Sequence, residues 1–128
     1  MKRNMKGDQM ASKTVLLIEE VKKILQNVYL DVFYIGTTKT TPYPYITFQI
    51  SDIGASKKLE LDYWTDQPDS IELETLADNM GDYLNKYTLT NENHSITIYK
   101  NHDRQRLDET IIKRINESYM VRYFGKEE

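Results

Sequence analysis

Two stretches of this chain carry apolar residues at helical spacing, and almost everything between and after them alternates with the period of a strand. Leu17, Ile18, Val21, Ile24, Leu25 and Val28 recur three and four apart, with Glu19, Glu20, Lys22, Lys23 and Gln26 on the opposite side. That pattern predicts an amphipathic helix over 13–28, with Ser12 or Thr14 as its cap. Leu73, Leu76, Ala77, Met80, Leu84 and Tyr87 repeat the pattern and predict a second helix over 70–87. Asp69 and Glu72 stand at capping-box spacing before it. Gly81 lies inside this helix at a cost of about 1 kcal/mol relative to alanine, which suggests close packing against the first helix.

The remaining ordered chain reads as β. Asp31–Ile35 is a short strand, and 36–42 a loop. Pro42 and Pro44 hold Tyr43 extended before a strand over 45–52, where Ile46, Phe48 and Ile50 share one face. Leu59, Leu61 and Tyr63 share a face of the next strand, 57–65, so the two form a long hairpin around a loop containing Gly54. After the second helix, 88–93 reads as a polar loop and Ser95–Tyr99 as a strand. The segment 101–109 is so polar that it reads as a loop standing off the body. A strand over 111–124 follows, with Ile115, Tyr119, Val121 and Tyr123 on one face. Two helices that each need one covered stripe, and a sheet that needs one covered face, are satisfied together by an α+β fold: a mainly antiparallel sheet with both helices packed on one side. The 128 residues suffice for one such domain, here 12–125, with residues 1–11 expected to be disordered and 126–128 frayed.

Composition narrows the chemistry. There are no cysteines, which removes disulfides and thiolate metal sites. No apolar run approaches the roughly 20 residues of a membrane helix, so no membrane partner is expected, and the N-terminus lacks a signal-peptide core. A net charge of −3 gives no general attraction to nucleic acid. Neither a P-loop nor a dinucleotide fingerprint occurs. The two histidines, His94 and His102, fall in polar segments without metal-ligand spacing and read as solvated. Asp62, Asp66, Asp69, Glu72 and Glu74 make an acidic run, which reads as a helix start on a solvated face rather than a cation site. No catalytic residue, metal site or cofactor is expected. Ten tyrosines suit strands and equally suit surfaces that are covered only part of the time. The basic residues Lys57, Lys58, Arg104 and Arg106 lie on the two polar excursions, 52–58 and 101–110, and are the candidate assembly contacts.

The order of elements, together with Tyr43-Pro44-Tyr45-Ile46-Thr47-Phe48, the strand Leu59-Glu60-Leu61-Asp62-Tyr63-Trp64 and the closing Tyr119-Met120-Val121-Arg122-Tyr123-Phe124, resembles the tail terminator (tail completion) proteins of long-tailed bacteriophages and prophages. The resemblance spans 12–124. It implies a non-catalytic virion protein made in the host cytoplasm. Six copies would form a ring at the head-proximal end of the tail, meeting the tail tube protein and the head connector while DNA passes through without specific binding. The same residues leave room for two alternatives: another connector, stopper or adaptor, or a small binding or regulatory module.

Overall fold

The structure is a computed structural model that describes residues 12–35 and 42–125; the expectations for 1–11, 36–41 and 126–128 lie outside the described residues. The chain runs α1 (Lys13–Gln26), β1 (Val32–Tyr34), β2 (Tyr45–Ile53), β3 (Ser56–Thr65), α2 (Ile71–Leu84), β4 (Tyr87–Thr90), β5 (His94–Arg106) and β6 (Lys113–Gly125). The strands form one six-stranded sheet in the order β1-β2-β3-β6-β5-β4. Only β1 and β2 are parallel; every other neighbouring pair is antiparallel. Leu17, Val21, Ile24 and Leu25 of α1 share a single buried core with Leu73, Ala77, Met80 and Leu84 of α2. The inward residues of the sheet complete it: Val32, Ile46, Phe48, Leu59, Leu61, Tyr63, Ile96, Ile98, Ile115, Tyr119 and Val121. The α+β expectation, with two helices on one face of a mostly antiparallel sheet, holds.

α1 begins where Ser12 predicts. The Ser12 hydroxyl accepts the Val15 amide at 3.1 Å, supplying one of the partners a helix start lacks. α2 begins differently from the capping box expected. Asp69 Oδ1 accepts from the Ile71 amide at 3.1 Å, and the cap residue Ser70 makes no side-chain cap bond. α2 also ends early. Asn85 is extended and Lys86 sits at φ +67°, and this kink turns the chain into β4. Both the Lys86 amide and the register Tyr87↔Ile98 engage Ile98, so Lys86 is the extra residue of a bulge. Tyr87 keeps its inward position, but on a strand, with its ring 5.3 Å from Tyr83. Gly81 does not meet α1. A Cβ there would lie 3.4 Å from Lys100 Nζ and 3.5 Å from the Tyr119 hydroxyl, so the glycine faces the sheet.

Two further corrections concern the segments read as excursions. The 52–58 stretch is paired strand apart from Gly54-Ala55. Gly54 at φ +55° occupies the first central position of a two-residue turn, the place where a positive φ suits the hairpin twist. The 101–106 stretch is also strand. β5 continues along β6 with an irregularity between Lys100 and Asp103, after which Asp103, Arg104, Gln105 and Arg106 pair with Ser118, Glu117, Asn116 and Ile115. The polar connection that does leave the sheet is 107–112, closed by Leu107 N–H to Arg114 O at 2.8 Å and Glu109 N–H to Ile112 O at 2.7 Å.

Candidate assembly surfaces

Alternation along β6 places Ile115, Glu117, Tyr119 and Val121 on the covered face, so a carboxylate lies among three apolar residues. Glu117 is 3% exposed. Burying a carboxylate costs several kcal/mol unless it is paired and hydrogen-bonded, and here it is both. Tyr63 Oη and Tyr119 Oη each donate to Glu117 Oε1 at 3.0 Å, and Arg104 Nε donates to Oε2 at 2.7 Å. The same guanidinium reaches α2, with Nη1 3.2 Å from Glu74 Oε1 and 2.9 Å from Asp78 Oδ1. Arg104 therefore ties α2 to β5 and β6. Burial opposes its charge, but hydrogen bonds to Glu117 and Asp78 outweigh it and push the guanidinium pKa up. Burial is the main cause that raises the pKa of both tyrosine hydroxyls; Tyr119 and then Glu117 add to it at Tyr63, and Glu117 adds to it at Tyr119. They stay protonated and keep donating.

The four basic candidates are not gathered together. Arg104 is inside this cluster. Lys57 shares its face but stands opposite Val121, near the hairpin turn; its ammonium is 2.6 Å from Asp52 Oδ1 and 5.4 Å from the Tyr123 ring centroid. Lys58 alternates to the other face of the sheet. Arg106 pairs with Asp108 at 2.8 Å, next to the 107–112 connection.

Among the described residues, the opposite sheet face carries no helix. At its β1 end it holds an aromatic group. The Tyr45 and Trp64 rings stack at 6.1 Å, flanked by Phe33 at 6.4 Å and Tyr43 at 5.3 Å from Tyr45. The Arg114 guanidinium lies over Trp64 at 5.0 Å, and the Trp64 indole donates to Thr47 Oγ1 at 3.0 Å. The middle is a polar ladder. Gln49 donates to Glu60 at 2.9 Å, while Asn116 donates to Glu60 at 3.2 Å and to Asp62 at 2.9 Å. Gln49 is the main reason the Glu60 carboxyl is held below its ordinary pKa. Asp62 is pushed the other way, because burial outweighs Asn116 and Arg114. At the far end, Phe124 is 70% exposed.

The acidic run disperses among these roles, with Asp62 in the ladder, Asp69 at the start of α2 and Glu74 on Arg104. No group of three or more metal-binding side chains occurs among the described residues. His94 overturns the solvated expectation. It is 1% exposed, its ring lies 5.7 Å from that of Tyr123, and Nε2 is 3.8 Å from Glu20 Oε1; neither ring nitrogen has a hydrogen-bond partner among the described residues. It opens β5 on the inward side, and the alternation with Ile96 and Ile98 would have revealed this. The His102 side chain lies outside the described residues. On the helix side, Tyr29, Pro44, Glu72, Thr75, Leu76 and Asn79 line a shallow groove. Tyr29 Oη donates to the Pro44 carbonyl at 2.8 Å, beside the cis Tyr43–Pro44 peptide.

No family model matches the chain, and no curated protein matches it. A solved structure does. A chain in the virion of a native gene transfer agent particle aligns with 91% of this chain and 96% of its own length, at a TM-score of 0.59 and 13% identity. The two share a fold over nearly their whole lengths.

Proposed function

We propose that this chain is a structural protein of a phage-like particle, and within it the tail terminator or tail-to-head joining subunit, acting as a ring on the tail tube. The observation that carries this reading is the fold shared end to end with a chain of a gene transfer agent virion. The sequence resemblance to tail terminators supplies the finer role. The surfaces suit it: one sheet face is clothed by helices, the other is bare and rich in aromatic and hydrogen-bonding side chains. Surfaces of mixed aromatic and polar character are what protein partners cover. The role assigned is non-catalytic. Lys57, Lys58, Arg104 and Arg106 contribute unequally to it. Lys58, on the bare face, remains a direct contact, whereas Arg104 shapes the body that presents the contacts.

The test is deletion of the coding sequence from the particle-producing genome, with a tagged copy supplied in trans. The expected result is DNA-filled heads separated from tails of irregular length, with the tagged protein at the head-proximal end of complemented tails. Tails of normal length that fail to join would point instead to a stopper or adaptor. Fully joined, infectious particles in the absence of the protein would overturn the proposal.

A further inference from the structure

The strand directions alternate from β2 across to β4, and β1 runs parallel to β2, so the two outermost strands, β1 and β4, point the same way. Edge strands are commonly blunted with lysine, proline or a mid-strand bulge. β1 (Val-Phe-Tyr) and β4 (Tyr-Thr-Leu-Thr) have no charge and no proline within them. We infer that β4 of one copy pairs in parallel with β1 of a second copy, in the register Tyr87 beside Val32, Thr88 beside Phe33 and Leu89 beside Tyr34, joining the two sheets edge to edge. The inference rests on the ring proposed above and names the contact that would build it.

Three features agree on that register. The first is backbone polarity. Asn91 N–H bonds to His94 O, and alternation back along the antiparallel pair turns the amides and carbonyls of Leu89 and Tyr87 toward β5 and those of Thr88 and Thr90 outward. On β1, Ile46 N–H bonds to Asp31 O and Ile35 N–H to Phe48 O, so Asp31, Phe33 and Ile35 face β2 while the carbonyls of Val32 and Tyr34 and the amide of Tyr34 face outward. In a parallel pair a residue bonds to the two that flank its opposite number. With Thr88 beside Phe33, the Thr88 amide meets the Val32 carbonyl, the Tyr34 amide meets the Thr88 carbonyl, and the Thr90 amide meets the Tyr34 carbonyl. The second feature is side-chain polarity. Tyr87 and Leu89 pack toward the core and Thr88 and Thr90 are exposed, while on β1 Val32 is buried and Tyr34 packs on Phe48. The register sets inward residues beside inward residues, whereas a one-residue slip would reverse every face. The third is charge. The same register brings exposed Lys86, just before β4, level with exposed Asp31, just before β1. The contact is heterologous, since a different edge is used on each side, so repetition builds a ring or a filament rather than a closed dimer.

Because the chain has no cysteine, engineered ones report cleanly. Opposite residues on neighbouring strands lie about 4.8 Å apart, within disulfide reach. Thr88→Cys and Phe33→Cys are made singly in the full chain, and each variant is first checked for a wild-type circular dichroism spectrum. A mixture of the two, oxidised either in concentrated solution or on complemented tails, is expected to give a covalent dimer, with at least a tenfold excess over either variant alone. Thr88→Pro removes an outward amide that β5 does not use, and is expected to abolish the oligomer while leaving the monomer folded. Oligomers or tail-bound rings that assemble with no 33–88 bridge, and that tolerate Thr88→Pro, would overturn the pairing and leave the ring proposal standing. Self-bridging by Thr88→Cys alone would overturn it in favour of a symmetric β4–β4 contact. A chain that stays monomeric and is dispensable for joined particles would overturn both.

Discussion

Removing the Arg104 guanidinium tests the buried polar cluster most sharply. In Arg104→Met the methylenes keep their packing, but Glu117 loses its 2.7 Å cationic partner while its side chain stays 4% exposed. Breaking a buried ion pair from one side typically costs 3–5 kcal/mol. Arg104 is itself 26% exposed, so water reaches part of the pair, and Tyr63 and Tyr119 still donate to the carboxylate. Both facts favour the low end, about 3 kcal/mol, out of a total stability on the order of 10 kcal/mol for a domain of this size. With a urea m-value of about 1.5 kcal/mol/M, the midpoint should fall by about 2 M. Adding Glu117→Gln keeps an acceptor for both tyrosines and removes the stranded charge, so the double variant should recover at least 1 kcal/mol over Arg104→Met. Urea titrations followed by Trp64 fluorescence and far-UV circular dichroism measure all of this. A loss under 1 kcal/mol, or no recovery in the double variant, would refute the account of Glu117 as a carboxylate held by Arg104.

Gly81→Ala should stabilise the protein by up to about 1 kcal/mol in the same titration, because α2 gains propensity and the new methyl meets Lys100 and Tyr119 at ordinary contact distances. Leu73→Asp should abolish cooperative unfolding near wild-type stability, whereas Leu76→Asp, at the half-buried rim of the groove, should cost much less. Asp62→Asn should be neutral or stabilising at pH 7, since burial raises the Asp62 pKa above its unfolded value and its ionised form is a liability once pH exceeds that folded value. The gain should vanish at about pH 3, where the carboxyl is protonated in both states. His94→Leu should hold or raise stability by about 1 kcal/mol in thermal melts, because it removes two buried ring nitrogens that lack hydrogen-bond partners among the described residues.

Both helices and the hairpin were legible because each carries its own periodicity. Leu17, Val21, Ile24 and Leu25 are spaced for a helix whatever they pack against, and Ile46, Phe48, Leu59, Leu61 and Tyr63 alternate independently of register. β4 was hidden because its inward Tyr87 also continues the helical stripe. The kink at Asn85 and Lys86 that separates them has no strong signature, since lysine at positive φ is uncommon. The far half of β5 was hidden for a different reason. Its inward residue is Arg104, and hydrophobic patterning cannot recognise a core position filled by an ion pair.

That blind spot is what displaced the candidate contacts. Arg104 and Glu117 are 13 residues apart in sequence, and each alone reads as a solubilising charge. Their pairing shows only when β5 and β6 are laid in register. A sequence signal did exist: Glu117 interrupts the strict alternation of Ile115, Tyr119, Val121 and Tyr123, and a carboxylate at an inward position demands a cation on a neighbouring strand. Following that demand would have drawn 101–106 into the sheet, made Arg104 part of the body, and left β4 as the terminal strand. The surfaces available to a partner are then those the sheet leaves unfinished, namely its bare face and its two uncharged edges. Neither edge carries a charge within its strand, so basic residues on polar segments point only to Lys58 of the bare face and to neither edge.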